Sequence, residues 1–171
     1  MKKFLAMLSL LTIAFTAHAE TQVQTIKMLH VKKSITINAP ADKVWEKISD
    51  FGDLGAWHPA VAKTEIVEGV NNVKGAKRVL TLQDGGKINE TLTAHNTKKR
   101  AMAYMITESV LPVDAYKAII SVRISGKGQS VVTWGADFKA KAGSDDKTAK
   151  DTIVGVFDGG LNNLKKILET M

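Results

Sequence analysis

The order of the hydrophobic patterns constrains the fold more than any other feature of the chain. Alternating segments come first, and one long amphipathic segment comes last. After the polar residues 143–146, apolar side chains recur at helical spacing, which predicts a helix that reaches about Glu169. Asp145 or Asp146 is suited to cap its first turn. The apolar stripe consists of Ile153, Phe157, Leu161, Leu164 and Leu168, and Gly160 falls within it, where a larger side chain would fill space.

The segments ahead of this helix have the alternation and the turn signals typical of β-strands. Pro40 suits the first turn of a short helix after the first strand, and residues 51–58 form a second short helical turn or loop. Since strands and helices are segregated along the chain, the predicted class is α+β. Without a repeat or a linker, residues 20–171 are predicted to be one domain. The predicted strands are 28–38, 64–68, 77–83, 87–95, 100–108, 115–124 and 130–139.

Residues 1–19 have the features of a secretory signal peptide. Lys2 and Lys3 precede a short apolar run, and Ala17 and Ala19 are the small residues that a signal peptidase reads. We expect cleavage after Ala19 and export to a bacterial periplasm. A retained membrane anchor is the alternative, but the run is shorter than the ~20 residues that a span requires, so stable membrane insertion is not expected.

Composition narrows the classes of site and partner. The chain has no cysteine, which excludes disulfides and cysteine–zinc sites. Its formal net charge is +7, but the lysines are scattered and no basic stripe alternates with aromatic residues, so nucleic acid is not an expected partner. The positive charge either serves solubility or favours an acidic partner protein or an anionic lipid surface.

Strand alternation assigns several large side chains to the inner face of the sheet. They suit the lining of an apolar pocket, and they would equally suit a filled core. These inward residues are Met102, Tyr104 and Ile106 on one strand, Tyr116, Ala118, Ile120, Val122 and Ile124 on the next, and Val132, Trp134, Ala136 and Phe138 on the last.

One polar pair follows from the register of a predicted hairpin. A three-residue loop at residues 84–86 would pair Gln83 with Lys87 and make Arg78 and Glu90 diagonal neighbours on a face that carries leucines. A two-residue loop would put Arg78 and Glu90 on opposite faces. The pair therefore indicates either polar recognition inside a pocket or a solvated ion pair at the sheet rim.

The segment FGDLGAWHPAV, residues 51–61, places His58 between an aromatic residue and a proline. Outside the signal peptide, His30 and His95 are the only other histidines, and neither has metal-ligand spacing with His58, so a metal site is not expected. As a general base His58 would have a suitable ordinary pKa, but no nucleophile or orienting acid is recognisable. Glu90 and Tyr104 would supply its acid–base partners if the pocket brings them together. The alternative interpretation is that His58 shapes the pocket entrance or contacts a ligand.

The segment ITINAPADKVWEKISDFGDLGAWHPAV resembles the opening of the SRPBCC superfamily, the helix-grip fold of START and birch-pollen-allergen-like domains. GAKRVLTLQDGGKINETL resembles the hairpin that follows it, and LPVDAYKAIISV and VVTWGADFKA resemble the last two strands of the polyketide-cyclase-like branch. The resemblance implies a curved seven-stranded antiparallel sheet around the C-terminal helix, two short helices after the first strand, and a cavity for an apolar molecule. With a signal peptide, the chain also resembles the MxaD-like periplasmic group.

Three functions stay open at this point. The first is a periplasmic carrier or sensor of a small hydrophobic ligand, with no cofactor and no assigned catalytic residue. The second, implied by the resemblance, is an MxaD-like accessory that promotes contact between a periplasmic dehydrogenase and its cytochrome, with lysines steering acidic partners. The third is a cyclase- or hydrolase-like enzyme that uses His58. The predicted ligand contacts are Trp57, His58, Arg78, Glu90, Tyr104, Tyr116, Trp134 and Phe138.

Overall fold

The computed structural model describes residues 27–170, so the predicted signal peptide lies outside the described residues. The first strand is followed by a short helix and a single 3₁₀ turn, and the remaining strands precede one long helix. The elements are β1 Leu29–Ile37, α1 Ala41–Ile48, the 3₁₀ turn Leu54–Ala56, β2 Val61–Glu68, β3 Lys77–Leu82, β4 Lys87–Asn96, β5 Ala101–Ser109, β6 Val113–Gly126, β7 Gln129–Ala140 and α2 Asp146–Glu169.

The strands form one antiparallel sheet in the order β1-β7-β6-β5-β4-β3-β2. The sheet curves around α2, which contacts β1 and β7, and this confirms the predicted α+β helix-grip fold. Asp145 caps α2, since its side chain accepts a hydrogen bond from the Thr148 backbone N–H. No helix within residues 27–170 is long and apolar enough to cross a membrane.

The helix α2 buries its apolar stripe against the sheet, as the helical spacing predicts. Ile153, Phe157, Leu161 and Leu164 are buried. The rings of Phe157 and Trp134 stack with their centroids 4.4 Å apart, which joins the middle of α2 to β7. The apolar stripe thus fixes which face of α2 meets the sheet, because burying it removes the most apolar surface from water.

The strands differ from the prediction in bounds, register and exposure. β2 begins at Val61 rather than at residue 64, and β6 spans Val113–Gly126 rather than 115–124. The turn uses residues 83–85, with Gly85 at a φ of 86°, so Arg78 lies directly opposite Glu90 rather than diagonal to it. The predicted loop length was right, so Arg78 and Glu90 lie on the same face of the sheet as expected. The predicted pairing was shifted by one residue on each strand. Ile124 was predicted to face inward and is 70% exposed, because β6 extends past the core at that end.

A bulge in β6 separates Val113 from Tyr116, so that both of these side chains are buried. The pairing of β6 with β7 shifts between Asp114 and Lys117, and Ala115 has a φ of 50°. Such an extra residue bends a strand and re-aims the side chain that follows it. Asp114 and Ala115 are therefore both exposed while Tyr116 is buried.

Candidate functional site

A cavity of about 80 Å³ lies between the sheet and α2. Most of its surface is aliphatic or aromatic, and four half-buried side chains, Leu82, Ile106, Leu111 and Val156, mark where it approaches the surface. The cavity is several times larger than the ~10–15 Å³ that holds one water. The lining consists of Leu54, His58, Ala60, Val61, Leu80, Leu82, Ile88, Glu90, Tyr104, Ile106, Leu111, Tyr116, Trp134, Ile153 and Val156.

The polar end of the cavity is a buried ion pair between two strands. Arg78 on β3 and Glu90 on β4 have side chains that are 3% and 5% exposed. Arg78 Nε and Nη2 both lie 2.6 Å from Glu90 Oε2. Arg78 Nη1 donates to the backbone oxygen of Phe51, whose ring stacks under the guanidinium at 4.1 Å. The arginine is thus held by a carboxylate, a carbonyl and an aromatic face.

Burial raises the pKa of Glu90, and the neighbouring Arg78 opposes that rise. We regard the pair as ionised, because Arg78 is charged at any ordinary pH and a neutral Glu90 would leave that charge buried without compensation. Because both side chains are buried, the alternative that the sequence left open, a solvated ion pair at the sheet rim, is wrong.

Three aromatic side chains with polar groups, Tyr104, Tyr116 and Trp134, lie beside the ion pair and line the cavity. Trp134 Nε1 donates a 2.9 Å hydrogen bond to the Tyr104 hydroxyl, and the Tyr104 and Tyr116 rings lie 6.3 Å apart. Burial, more than any neighbouring charge, raises the pKa of Tyr116 well above its ordinary value. Both tyrosines are therefore neutral hydroxyl groups, able to donate and to accept hydrogen bonds.

His58 joins the loop after the 3₁₀ turn to α2. Its Nε2 lies 3.0 Å from the backbone oxygen of Val156, and its Nδ1 accepts a 3.3 Å hydrogen bond from the Ala60 backbone N–H. These partners require the neutral tautomer with the proton on Nε2. Burial lowers the pKa of His58, which favours the same neutral form. Since both nitrogens are used by backbone groups, the arrangement makes His58 a packing residue rather than a general base.

The predicted contact residues divide into two groups. His58, Glu90, Tyr104, Tyr116 and Trp134 line the cavity. The other three do not: Trp57 and Arg78 border a separate void of about 10 Å³ behind it, and Phe138 is fully buried against Tyr116. Each of the three packs against an aromatic residue of the lining: Trp57 against Trp134, Arg78 against Tyr104, and Phe138 against Tyr116. They therefore support the wall of the cavity.

The aliphatic residues of the lining were not among the predicted ligand contacts. Strand alternation puts Leu80 on the same face as Arg78, Ile88 on the same face as Glu90, and Ile106 on the same face as Tyr104. This spacing could have identified the three aliphatic residues as part of the lining. Ile153 belongs to the predicted apolar stripe of α2. Leu111 lies in the β5–β6 connection, where no periodic pattern indicates an inward direction. Within residues 27–170, no group of three His, Asp or Glu side chains is placed to hold a metal ion.

Solved structures similar to this chain share the fold. XoxI from Bacillus cereus is 28% identical with a TM-score of 0.76, over 82% of this chain and 95% of that one. A protein from Bacillus thuringiensis has the same identity, TM-score and coverage of this chain, and 99% of its own length is covered. A Nitrosospira multiformis protein, 22% identical with a TM-score of 0.71 over 82% and 96% of the two chains, shows the fold alone.

None of the curated proteins compared with the chain matches it. The family described as polyketide cyclase / dehydrase and lipid transport matches residues 28–169, which takes in every strand and both helices. A cavity between a curved antiparallel sheet and a C-terminal helix is the architecture expected of such proteins from the sequence resemblance. The chain therefore belongs to the polyketide cyclase / dehydrase and lipid transport family.

Proposed function

We propose that the protein binds a small apolar molecule in the cavity between the sheet and α2, as a carrier or a sensor. The observation that carries this proposal is the cavity itself: the side chains of the core leave an aliphatic space that they do not fill. Protein interiors are normally close-packed, so such a space suits a ligand. The family, which includes lipid transport, supports the same function.

The small volume of the cavity limits the size of the ligand that fits without a movement of the protein. Pockets for drug-sized molecules measure about 300–1,000 Å³, and this cavity measures about 80 Å³. A lipid or a polyketide would therefore need the rim to open. The half-buried Leu82, Leu111 and Val156 lie on a hairpin, a loop and α2, so an opening would separate side chains that belong to different elements.

We further propose that residues 20–171 act in the periplasm, which rests on the signal-peptide pattern of residues 1–19. His58 does not support the enzyme alternative, because both of its ring nitrogens bind backbone groups.

Native mass spectrometry of gently purified residues 20–171 tests the carrier function. An added mass that disappears on denaturation is the expected result. Ile106→Trp fills the cavity from its lining and should abolish the added mass. The matched control is Ile124→Trp, on the exposed end of the neighbouring strand β6, which should retain it. A bare chain, or equal added mass in both variants, would count against the cavity as the binding site.

A second candidate function, docking of an acidic protein, is favoured by a groove on the outer face of β1, β7 and β6. Its volume is about 450 Å³. Lys32, Lys117 and Arg123 line it, and none of them forms an ion pair within residues 27–170. Gly135 lies between Lys32 and Ile119 in register and leaves the centre of the face open. Such a surface would accelerate association with an acidic partner.

Site-specific photo-crosslinking tests this second function. A crosslinker at position 117 should capture a partner at low salt and lose it at high salt, because exposed charges are screened. A crosslinker at Lys98, in the β4–β5 turn, is the control. Equal capture at both positions, or capture that salt does not change, would remove the groove as the docking surface.

A further inference from the structure

The polar end of the cavity has one hydrogen-bond acceptor that the protein itself does not use. Arg78 directs both of its carboxylate contacts to Glu90 Oε2. No other side-chain hydrogen bond within residues 27–170 involves Glu90, so its Oε1 has no partner there. The side chain is 5% exposed and lines the cavity. Within residues 27–170, Asn71 Oδ1 is the one fully enclosed side-chain atom without a partner, so Glu90 Oε1 keeps some accessible surface. Because Glu90 lines the cavity, a ligand there that donates a hydrogen bond can reach this oxygen and gain a charge-assisted bond.

The charge of the site restricts the ligand further. The buried pair of Arg78 and Glu90 is balanced, and Tyr104 and Tyr116 are neutral because burial raises the pKa of each hydroxyl far above neutral pH. A ligand carboxylate would lie against Glu90 without a free cation. A ligand ammonium would add an uncompensated positive charge to a balanced pair. Both would pay a desolvation cost that a neutral donor avoids.

The size of the cavity and its aliphatic wall describe the rest of the ligand. About 80 Å³ holds only a few heavy atoms in the closed form. Leu80, Ile88 and Ile153 offer no hydrogen-bonding group to that part of the molecule. The Tyr116 hydroxyl also lines the cavity and can donate to an oxygen of the ligand.

We propose that the cavity selects a small neutral molecule that carries a hydroxyl or N–H donor on a short apolar body, with the donor bound by Glu90 Oε1. This inference rests on the proposed function, because it describes the ligand of the same cavity.

Four probes of similar size test the inference: 1-butanol, its isomer methyl propyl ether, butyrate and butylammonium. The ether has the formula of the alcohol but no donor. The reporter is the NMR signal of the Trp134 indole N–H, which is bonded to Tyr104 inside the site and can be assigned with Trp134→Phe. We expect 1-butanol to bind at least about tenfold more tightly than the ether, since its donor meets a charged acceptor, and more tightly than either ion.

A variant adds a second readout without disturbing the ion pair. Tyr116→Phe removes only the hydroxyl that donates to the ligand oxygen, and both probes carry such an oxygen. The variant should therefore weaken 1-butanol and the ether alike and keep the preference for the alcohol; loss of that preference would contradict recognition of the donor by Glu90. Substitution of Glu90 is avoided here, because it would leave Arg78 buried and unpaired.

Each contrary result overturns a different statement. Equal affinity for the alcohol and the ether would disprove recognition of a donor and leave the proposed function intact. Tighter binding of butyrate or butylammonium would disprove selection for a neutral molecule. If no small probe binds but 1-dodecanol shifts the Trp134 signal, the proposed size is wrong. If 1-dodecanol does not bind either, both the inference and the proposed function fail.

Discussion

Gly160 on α2 provides the space that the His58 ring occupies. A Cβ atom at Gly160 would lie 2.6 Å from His58 Cδ2 and 3.0 Å from Trp134 Cζ3. The ring cannot swing away freely, because Val156 and Ala60 bind its two nitrogens. The glycine in the stripe thus decides how closely α2 approaches the wall of the cavity.

Gly160→Ala should therefore destabilise the protein by about 1–3 kcal/mol through overpacking. The higher helix propensity of alanine, worth up to about 1 kcal/mol, offsets only part of that cost. Gly159→Ala is the matched control, since nothing lies within 4 Å of a Cβ there. Urea unfolding should find Gly159→Ala as stable as the wild type or more stable. Equal stability of both variants would show that His58 and Trp134 yield easily.

The burial of His58 should make stability depend on pH. Burial lowers the pKa of His58 in the folded protein below the ordinary value of 6.5, although the bond to Val156 opposes the shift. The unfolded chain then binds the proton more readily, so the stability contributed by neutral His58 is complete above pH 6.5 and is lost as the pH falls below it.

The measurement is the free energy of unfolding in urea at a series of pH values from neutral downward. His58→Gln should flatten the slope just below pH 6.5, because glutamine does not titrate. His30 and His95 are present in both proteins, so their contribution cancels in the comparison. An identical pH profile in the variant would contradict a depressed pKa at His58.

The ion pair should show strong coupling in a double-mutant cycle. Arg78→Met leaves Glu90 buried without its partner, and Glu90→Leu leaves Arg78 likewise, so each single variant should cost about 3–5 kcal/mol. The double variant Arg78→Met/Glu90→Leu removes both charges and should recover much of that loss. Chemical denaturation of the four proteins gives the coupling energy. Additive losses would mean that water or other groups already solvate the two side chains.

The bulge at Ala115 offers a stabilising substitution. Its φ of 50° lies in the left-handed region, which costs a non-glycine residue about 1–2 kcal/mol. Ala115→Gly should raise the melting temperature, with the gain reduced by the greater freedom of glycine in the unfolded chain. Ala103→Gly, where β5 pairs with β6 in an unbroken register, is the control and should lower it. A lower melting temperature for both variants would show that the bulge carries no strain.

Much of the fold could be predicted from the sequence because its signals are local and periodic. The stripe from Ile153 to Leu164 indicated the buried face of α2 without any knowledge of the sheet. The inward positions of Tyr104, Tyr116 and Trp134 followed from alternation alone. The odd length of the hairpin loop put Arg78 and Glu90 on one face of the sheet. Loop length does not determine which residues form the loop. The exact pairing depended on which residue adopts the left-handed turn conformation, and this residue is Gly85.

The sequence by itself determined the α+β class, the order of the elements and which aromatic and charged side chains share the inside of the sheet, because hydrophobic period and turn chemistry act over a few residues. Only the tertiary structure decided that the cavity is small, that Leu111 helps to line it, and that His58 is bound through both nitrogens to Val156 and Ala60. These features depend on the distance between α2 and the sheet, which is set by contacts such as Gly160 against His58, between residues far apart in the chain.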